Sequence, residues 1–232
     1  MGASPMLLQS LTRSVRCISP KQNVTLSLCL RHARSISTLP NNPHIYVFEH
    51  PLDSSKTILS LLPTSPPTTE LAIGTTSAIP PTTHSLTENP QFLGILQSVL
   101  HAYATQDPQV KQQAAVFASP GGFNLGGAGG RSSQGAGPSS AQGGAGGANK
   151  GGYIHVSDTR NPPDWGRIAW PEDIFGSLEV DGEGRFVGAT GNYQASGTYR
   201  VVTREGILGI PSFLREKLVQ RLRELEGQIK QK

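Results

Sequence analysis

Beyond its first 37 residues the chain has no cysteine, because Cys17 and Cys29 both lie in that opening stretch. Once the stretch is removed, disulfides, thiolate catalysis, iron–sulfur clusters and zinc–cysteine sites are all excluded. Acidic residues are also missing until Glu49, whereas Arg13, Arg16, Lys21, Arg31 and Arg34 all precede position 38. No segment approaches the 18 or so apolar residues of a membrane-spanning helix. A secretory signal needs an unbroken apolar core of about 7–15 residues. The best run here, over 24–30, alternates with polar groups and comes too late in the chain. There is no internal repeat.

The motifs of several enzyme classes are absent too. No two histidines stand at the His-Glu-x-x-His spacing on an expected helix, and no Gly-x-Ser-x-Gly elbow joins a strand to a helix. The glycine-rich stretch lacks the Gly-Lys-Ser/Thr of a phosphate-binding loop, its lysine standing in Asn149-Lys150-Gly151. Gly144-Ala145-Gly146 meets Asn149 where a dinucleotide fingerprint needs its third glycine. No cofactor and no metal ligand is expected.

An acid-free, Arg- and Ser-rich opening is what a mitochondrial transit peptide requires. A helix through Leu7, Leu8, Leu11 and Val15 gathers apolar groups on one side, leaving Arg13 and Arg16 to the other. Arginine followed by small residues over 31–38 then suits a matrix processing site. Residues 1–37 are therefore read as the leader. The chain's 20 basic and 16 acidic residues give +4, and removing the leader's five positive charges leaves 15 against 16, a net −1. The basic character belongs to the leader, so no DNA partner is expected of the remainder.

The rest reads as one α+β domain in two halves, 38–119 and 153–232, either side of a disordered Gly/Ser-rich insertion at 120–152. That insertion holds 14 glycines in 33 residues and too little apolar bulk to offset the entropy of ordering it. Strands are expected over 44–48, 57–62 and 70–74, from β-branched and aromatic runs bounded by turn residues. Asn89-Pro90 starts a helix, with Asn as cap and Pro at its first position. Phe92, Leu93, Leu96, Val99, Leu100 and Tyr103 then share one face. Asp107-Pro108 starts a shorter helix toward Phe117.

After the insertion, strands are expected over 153–157, from Ile174 to Val180 with a return at 185–187, and over 198–203. One helical turn is expected at Pro171-Glu172-Asp173. Leu214, Leu218, Leu222, Leu225 and Ile229 step by 4, 4, 3 and 4 along a closing amphipathic helix. The sum is a small mixed sheet of short strands with two good amphipathic helices.

The stretch over 164–175 stands out for Trp165, Arg167 and Trp170, residue types enriched at binding hot spots. The competing reading is that both tryptophans cap the core. On the closing helix Arg215, Lys217, Arg221 and Arg223 suit either an ordinary surface or a phosphate-bearing partner. Interspersed glutamates and the lack of aromatics between the cations weigh against nucleic acid. For acid–base chemistry the available groups are His44, His50, His84, His101, His155, Asp158, Asp164, Glu172 and Asp173.

The segments Pro171-Glu172-Asp173-Ile174-Phe175-Gly176-Ser177, Tyr199-Arg200-Val201-Val202-Thr203 and 207–222 resemble uncharacterised mitochondrial proteins of filamentous fungi. That resemblance covers the last 80 or so residues; it implies a mitochondrial location and no mechanism. The functional expectation is a non-catalytic protein-binding protein of the mitochondrial matrix or the matrix side of the inner membrane. It would serve as an accessory subunit or assembly factor of a respiratory or ribosomal complex, with Trp165, Arg167, Trp170, Arg215 and Arg221 meeting the partner. Peripheral membrane contact is compatible with this. One alternative is association with the mitochondrial ribosome or RNA. A second is a small-molecule enzyme, for which a deep polar pocket would have to join His155 and Asp158 to Asp173.

Overall fold

Antiparallel pairing organises every strand of the computed structural model, which describes residues 37–118, 151–164 and 167–231. The first sheet is a five-stranded meander: β1 (Ser37–Leu39), β2 (Asn42–Glu49), β3 (Thr57–Ser60), β4 (Gly74–Thr76) and β5 (Leu86–Glu88), adjacent in chain order. Two helices follow, α1 (Pro90–Tyr103) and α2 (Pro108–Ala118). After the glycine-rich stretch come β6 (Gly152–Ser157), β7 (Ile174–Val180) and β8 (Gln194–Ala195) in a second sheet. A two-stranded ribbon, β9 (Val202–Thr203) with β10 (Gly206–Ile207), and the helix α3 (Ser212–Lys230) complete the chain.

The α+β class holds, with short strands and amphipathic helices. The strands form three small antiparallel sheets rather than one mixed sheet. The leader expected at 1–37 and the insertion expected at 120–152 lie outside the described residues except for Ser37, which opens β1, and Gly151 and Gly152, the latter opening β6.

Local chemistry accounts for the helices. Asn89 Oδ1 accepts from Gln91 N at 3.0 Å ahead of Pro90, and Asp107 Oδ2 accepts from Gln109 N and Val110 N ahead of Pro108. Both satisfy amides that a helix start leaves open. On β2 and β3, Val47 faces Leu59 and Phe48 faces Ile58. Because strand side chains alternate, the first pair enters the main core and the second a small cluster on the other face, with Ala72.

The expected strand over 70–74 is displaced. Thr69–Leu71 instead forms a 3₁₀ turn, and pairing begins at Gly74. The Asn89 amide explains the shift, lying within hydrogen-bond distance of Thr69 O, Glu70 O and Ala72 O and drawing those carbonyls away from a ladder. Gly74 must be glycine here, since a Cβ would overlap the carbonyl oxygen of Thr87 on β5.

The main core draws on both sides of the glycine-rich stretch. Phe92, Leu96 and Leu100 of α1 share it with Phe175, Leu178 and Val180 of β7 and with Leu214, Leu218 and Leu222 of α3. Long-range hydrogen bonds tie the same halves: Asn42 Nδ2 to Leu208 O at 2.8 Å, Gln97 Nε2 to Phe175 O at 3.2 Å, and Thr64 Oγ1 to Glu226 Oε2 at 3.1 Å. The apolar stripe of α3 fades toward its end, where Ile229 is 38% exposed. Glu226 takes the buried place, its Oε1 facing Lys230 Nζ at 3.2 Å in an ion pair without hydrogen-bond geometry.

The flanks of the glycine-rich stretch meet. The Phe117 ring lies so close to Gly152 that a Cβ there would come within 2.7 Å of Phe117 Cζ. A loop of about six Gly/Ser residues in place of 119–150 should therefore close the chain and raise stability by about 1.5 kcal/mol, at about 0.6 per halving of loop length. Urea denaturation of the shortened chain checks this. A loss above about 1 kcal/mol would mean that the stretch packs on the body.

Candidate functional site

Where β6 ends, Asp158 turns its carboxylate inward. Oδ1 accepts from Arg160 N at 2.9 Å and Gly209 N at 2.8 Å, and Oδ2 accepts from the Tyr199 hydroxyl at 3.1 Å. The Arg160 guanidinium follows it in. Its Nε donates to Asp173 Oδ1 at 2.7 Å and stands 3.6 Å from Asp158 Oδ2. Nη1 donates to Val201 O, and Nη2 to Glu172 O and Arg200 O. Below, the Tyr199 ring lies 5.5 Å from the guanidinium carbon and packs against Phe175 at 4.6 Å.

Asp158 and Asp173 are each 1% exposed, so no pocket opens on them. His155 is not part of the group; its Nδ1 stands 2.8 Å from Ser177 Oγ on the facing strand, and burial lowers its pKa. The arrangement expected of a small-molecule enzyme, with His155, Asp158 and Asp173 around one deep polar pocket, is therefore not assembled. The two carboxylates instead hold a buried arginine, and the cluster as a whole ties together four chain segments, at 158–160, 172–173, 199–201 and 209.

That cross-link also corrects the strand expected over 198–203. Only Val202 and Thr203 pair, with β10. Ahead of them Arg160 takes two carbonyls, Arg200 N donates to Glu172 O at 3.1 Å, and Val201 N donates to Glu88 Oε1 at 3.1 Å. Val201 O still accepts from Leu208 N at 2.8 Å, but with the other groups engaged by side chains and a neighbouring turn the ladder extends no further.

Electrostatically the cluster holds two acids against one base. Burial pushes the Asp158 carboxyl up to about 6, outweighing Arg160, the two amides and the Tyr199 hydroxyl. Its folded pKa lies above the ordinary 3.8, so its contribution to stability is full at low pH and is lost as pH rises through about 6. His155 acts oppositely: its lowered folded pKa removes stability as pH falls. Asp158→Asn keeps the acceptor for both amides and removes one titration. Relative to Asp158, the Asn variant should gain about 1.4 kcal/mol between pH 5 and 7.5. Paired urea melts at the two pH values check this, with His155 common to both proteins; a pH-independent difference would mean that Asp158 does not titrate there.

The same cluster positions the tryptophan loop. Arg160 grips Glu172 O, Asp173 N donates to Trp170 O at 2.8 Å, and Ala169 is buried beneath. From this pinned backbone Trp170 stands 69% exposed, beside Ile168 at 41% and an exposed Arg167. Trp170 therefore does not cap the core. Trp165 lies outside the described residues.

The expected partner-facing residues belong to two elements. Arg167 and Trp170 share the loop, whereas Arg215 and Arg221 belong to α3. Arg221 is exposed and paired with Glu224 at 3.2 Å. Arg215 is half-buried and lines a separate cleft. Among the described residues no group of three His, Cys, Asp or Glu could hold a metal ion, and no helix is long and apolar enough to cross a membrane. Sequence reasoning missed Arg160, the residue that organises the site. Apart from Asp158, two positions back, its partners lie 12 to 41 positions away, and no local spacing signals them.

Comparison with known proteins found no matching family model, no matching curated protein and no matching solved structure.

Proposed function

We propose that this chain is a non-catalytic mitochondrial protein that binds other proteins, in the matrix or on the matrix side of the inner membrane, as an accessory subunit or assembly factor of a large complex. The observation that carries the reading is Trp170, exposed on a backbone locked by the Arg160 cluster. A rigid aromatic loses little freedom on docking and suits a hot spot. Ile168 extends its apolar area, and Arg167 supplies a charge at the edge. The acid-free, Arg- and Ser-rich opening supports the location.

The test is affinity purification of the tagged chain from gently solubilised mitochondria, at low and high salt, beside Trp170→Ala. One complex should survive high salt with the natural chain. With the variant its affinity should fall about thirtyfold, the loss of a hot spot worth about 2 kcal/mol. Folding stability should shift by less than about 0.5 kcal/mol, as for an exposed site. Ribosomal particles released by salt would replace this reading with RNA association, and a chain retaining Met1 in mitochondria would remove the import argument.

A further inference from the structure

A concave site borders the arginine cluster, with Thr159, Arg160 and Gly209 among its lining residues. The turn between β1 and β2, the stretch following β10 and the first turn of α3 enclose a cleft of about 260 Å³. Its floor is apolar, from Leu61, Ile207, Leu208 and Ile210. Around it stand Asn41, His44, Thr159 and Arg215, and no carboxylate lines it. Among the described residues none of these four side chains has a hydrogen-bond or ion-pair partner.

Arg215 is the decisive member. Arginines are rarely removed from water without a carboxylate; among the described residues only Arg160 and Arg215 are not exposed, and Arg160 has Asp173 at 2.7 Å. Arg215 is half-buried and has none. Asp158 and Asp173 do not line the cleft and are occupied by Arg160, Tyr199, Asn161 and backbone amides. The guanidinium's planar fork fits a carboxylate through two parallel hydrogen bonds. The Thr159 hydroxyl and the Asn41 amide add donors, and the leucine and isoleucine floor calls for hydrocarbon. The volume, below the roughly 300–1,000 Å³ of drug-sized sites, restricts the ligand to a small one.

We infer that this cleft binds a small monocarboxylate with a short hydrocarbon body, its carboxylate on Arg215 and its chain against Leu61, Leu208 and Ile210. Such a ligand would leave Trp170 free, so the site adds a small-molecule input to the binding surface proposed above without depending on it.

Amide NMR titration of the full chain with butanoate, beside inorganic phosphate at matched ionic strength, tests this. Butanoate should give saturable shifts at Thr159, Gly209 and Arg215, and phosphate should not. Arg215→Met should weaken butanoate at least about tenfold, the share of a charge-assisted hydrogen bond. Arg221→Met, on the same helix, should leave it unchanged. Thr159→Val provides a second, independent loss should Arg215→Met fold poorly. Absence of saturation, equal response to phosphate, or unchanged affinity in both cleft variants would overturn the inference.

Discussion

Replacing Arg160 by methionine is expected to destabilise the protein by about 3–5 kcal/mol, the range for breaking a buried ion pair by removing one partner. Two carboxylates, each 1% exposed, would face one another without a cation. Arg200 O would lose its Arg160 donor, and Val201 O and Glu172 O would keep only the amides of Leu208 and Arg200. Against a typical total of about 5–15 kcal/mol, that is a large share of what a modest domain has. Lysine is a poor substitute, because a single ammonium cannot reach in the directions of a planar fork. Denaturation midpoints measure the effect. The triple change Arg160→Met, Asp158→Asn and Asp173→Asn should recover much of the loss, since it removes the stranded charges. A loss below about 1 kcal/mol for methionine alone would show that the cluster does not hold the fold.

Phe175→Ala should cost a comparable 3–5 kcal/mol, the usual range for emptying a buried phenylalanine site. The ring is fully buried where the main core meets the Tyr199 side of the arginine cluster. Its backbone carbonyl, which accepts from Gln97 Nε2, the Tyr193 hydroxyl and Ser196 N, is untouched by the substitution. The loss therefore reports packing and not hydrogen bonding. Leucine should cost less, because most of the volume stays filled. Since the cavity would also free Tyr199, the pair Phe175→Ala and Tyr199→Phe should be non-additive by about 0.5–3 kcal/mol, as neighbours in contact are. Strict additivity in a double-mutant cycle would separate core from cluster.

The parts of this fold legible in the sequence are those whose causes are local. Asn89-Pro90 and Asp107-Pro108 carry their own capping chemistry, so both helix starts fall where expected. The leucine spacing of α3 names its buried face through Leu222. The failures share one physical origin, capture of a segment by distant groups. Asn89 bends the carbonyls of 69–72, Arg160 takes those of 200 and 201, and Thr64 draws Glu226 inward where Ile229 was expected. Strands of two or three residues such as β8 and β5 carry too little pattern to be seen at all. At the candidate site the tryptophan loop was visible by composition. Its exposure was not, because it depends on the anchor that Arg160 provides from another part of the chain.

Because α1 shares its apolar face with β7 and α3, a chain emerging from its amino end cannot finish its main core early. When residue 118 has appeared, a complete five-stranded meander already exists with Phe92, Leu96 and Leu100 beside it and nothing to cover them. Thirty or more glycine-rich positions must then pass before the first covering strand arrives, and the last covering element is the final helix. During that interval the nascent half is a sticky client for holding chaperones, so the order in which the chain becomes available, and not only its final stability, sets how safely it folds.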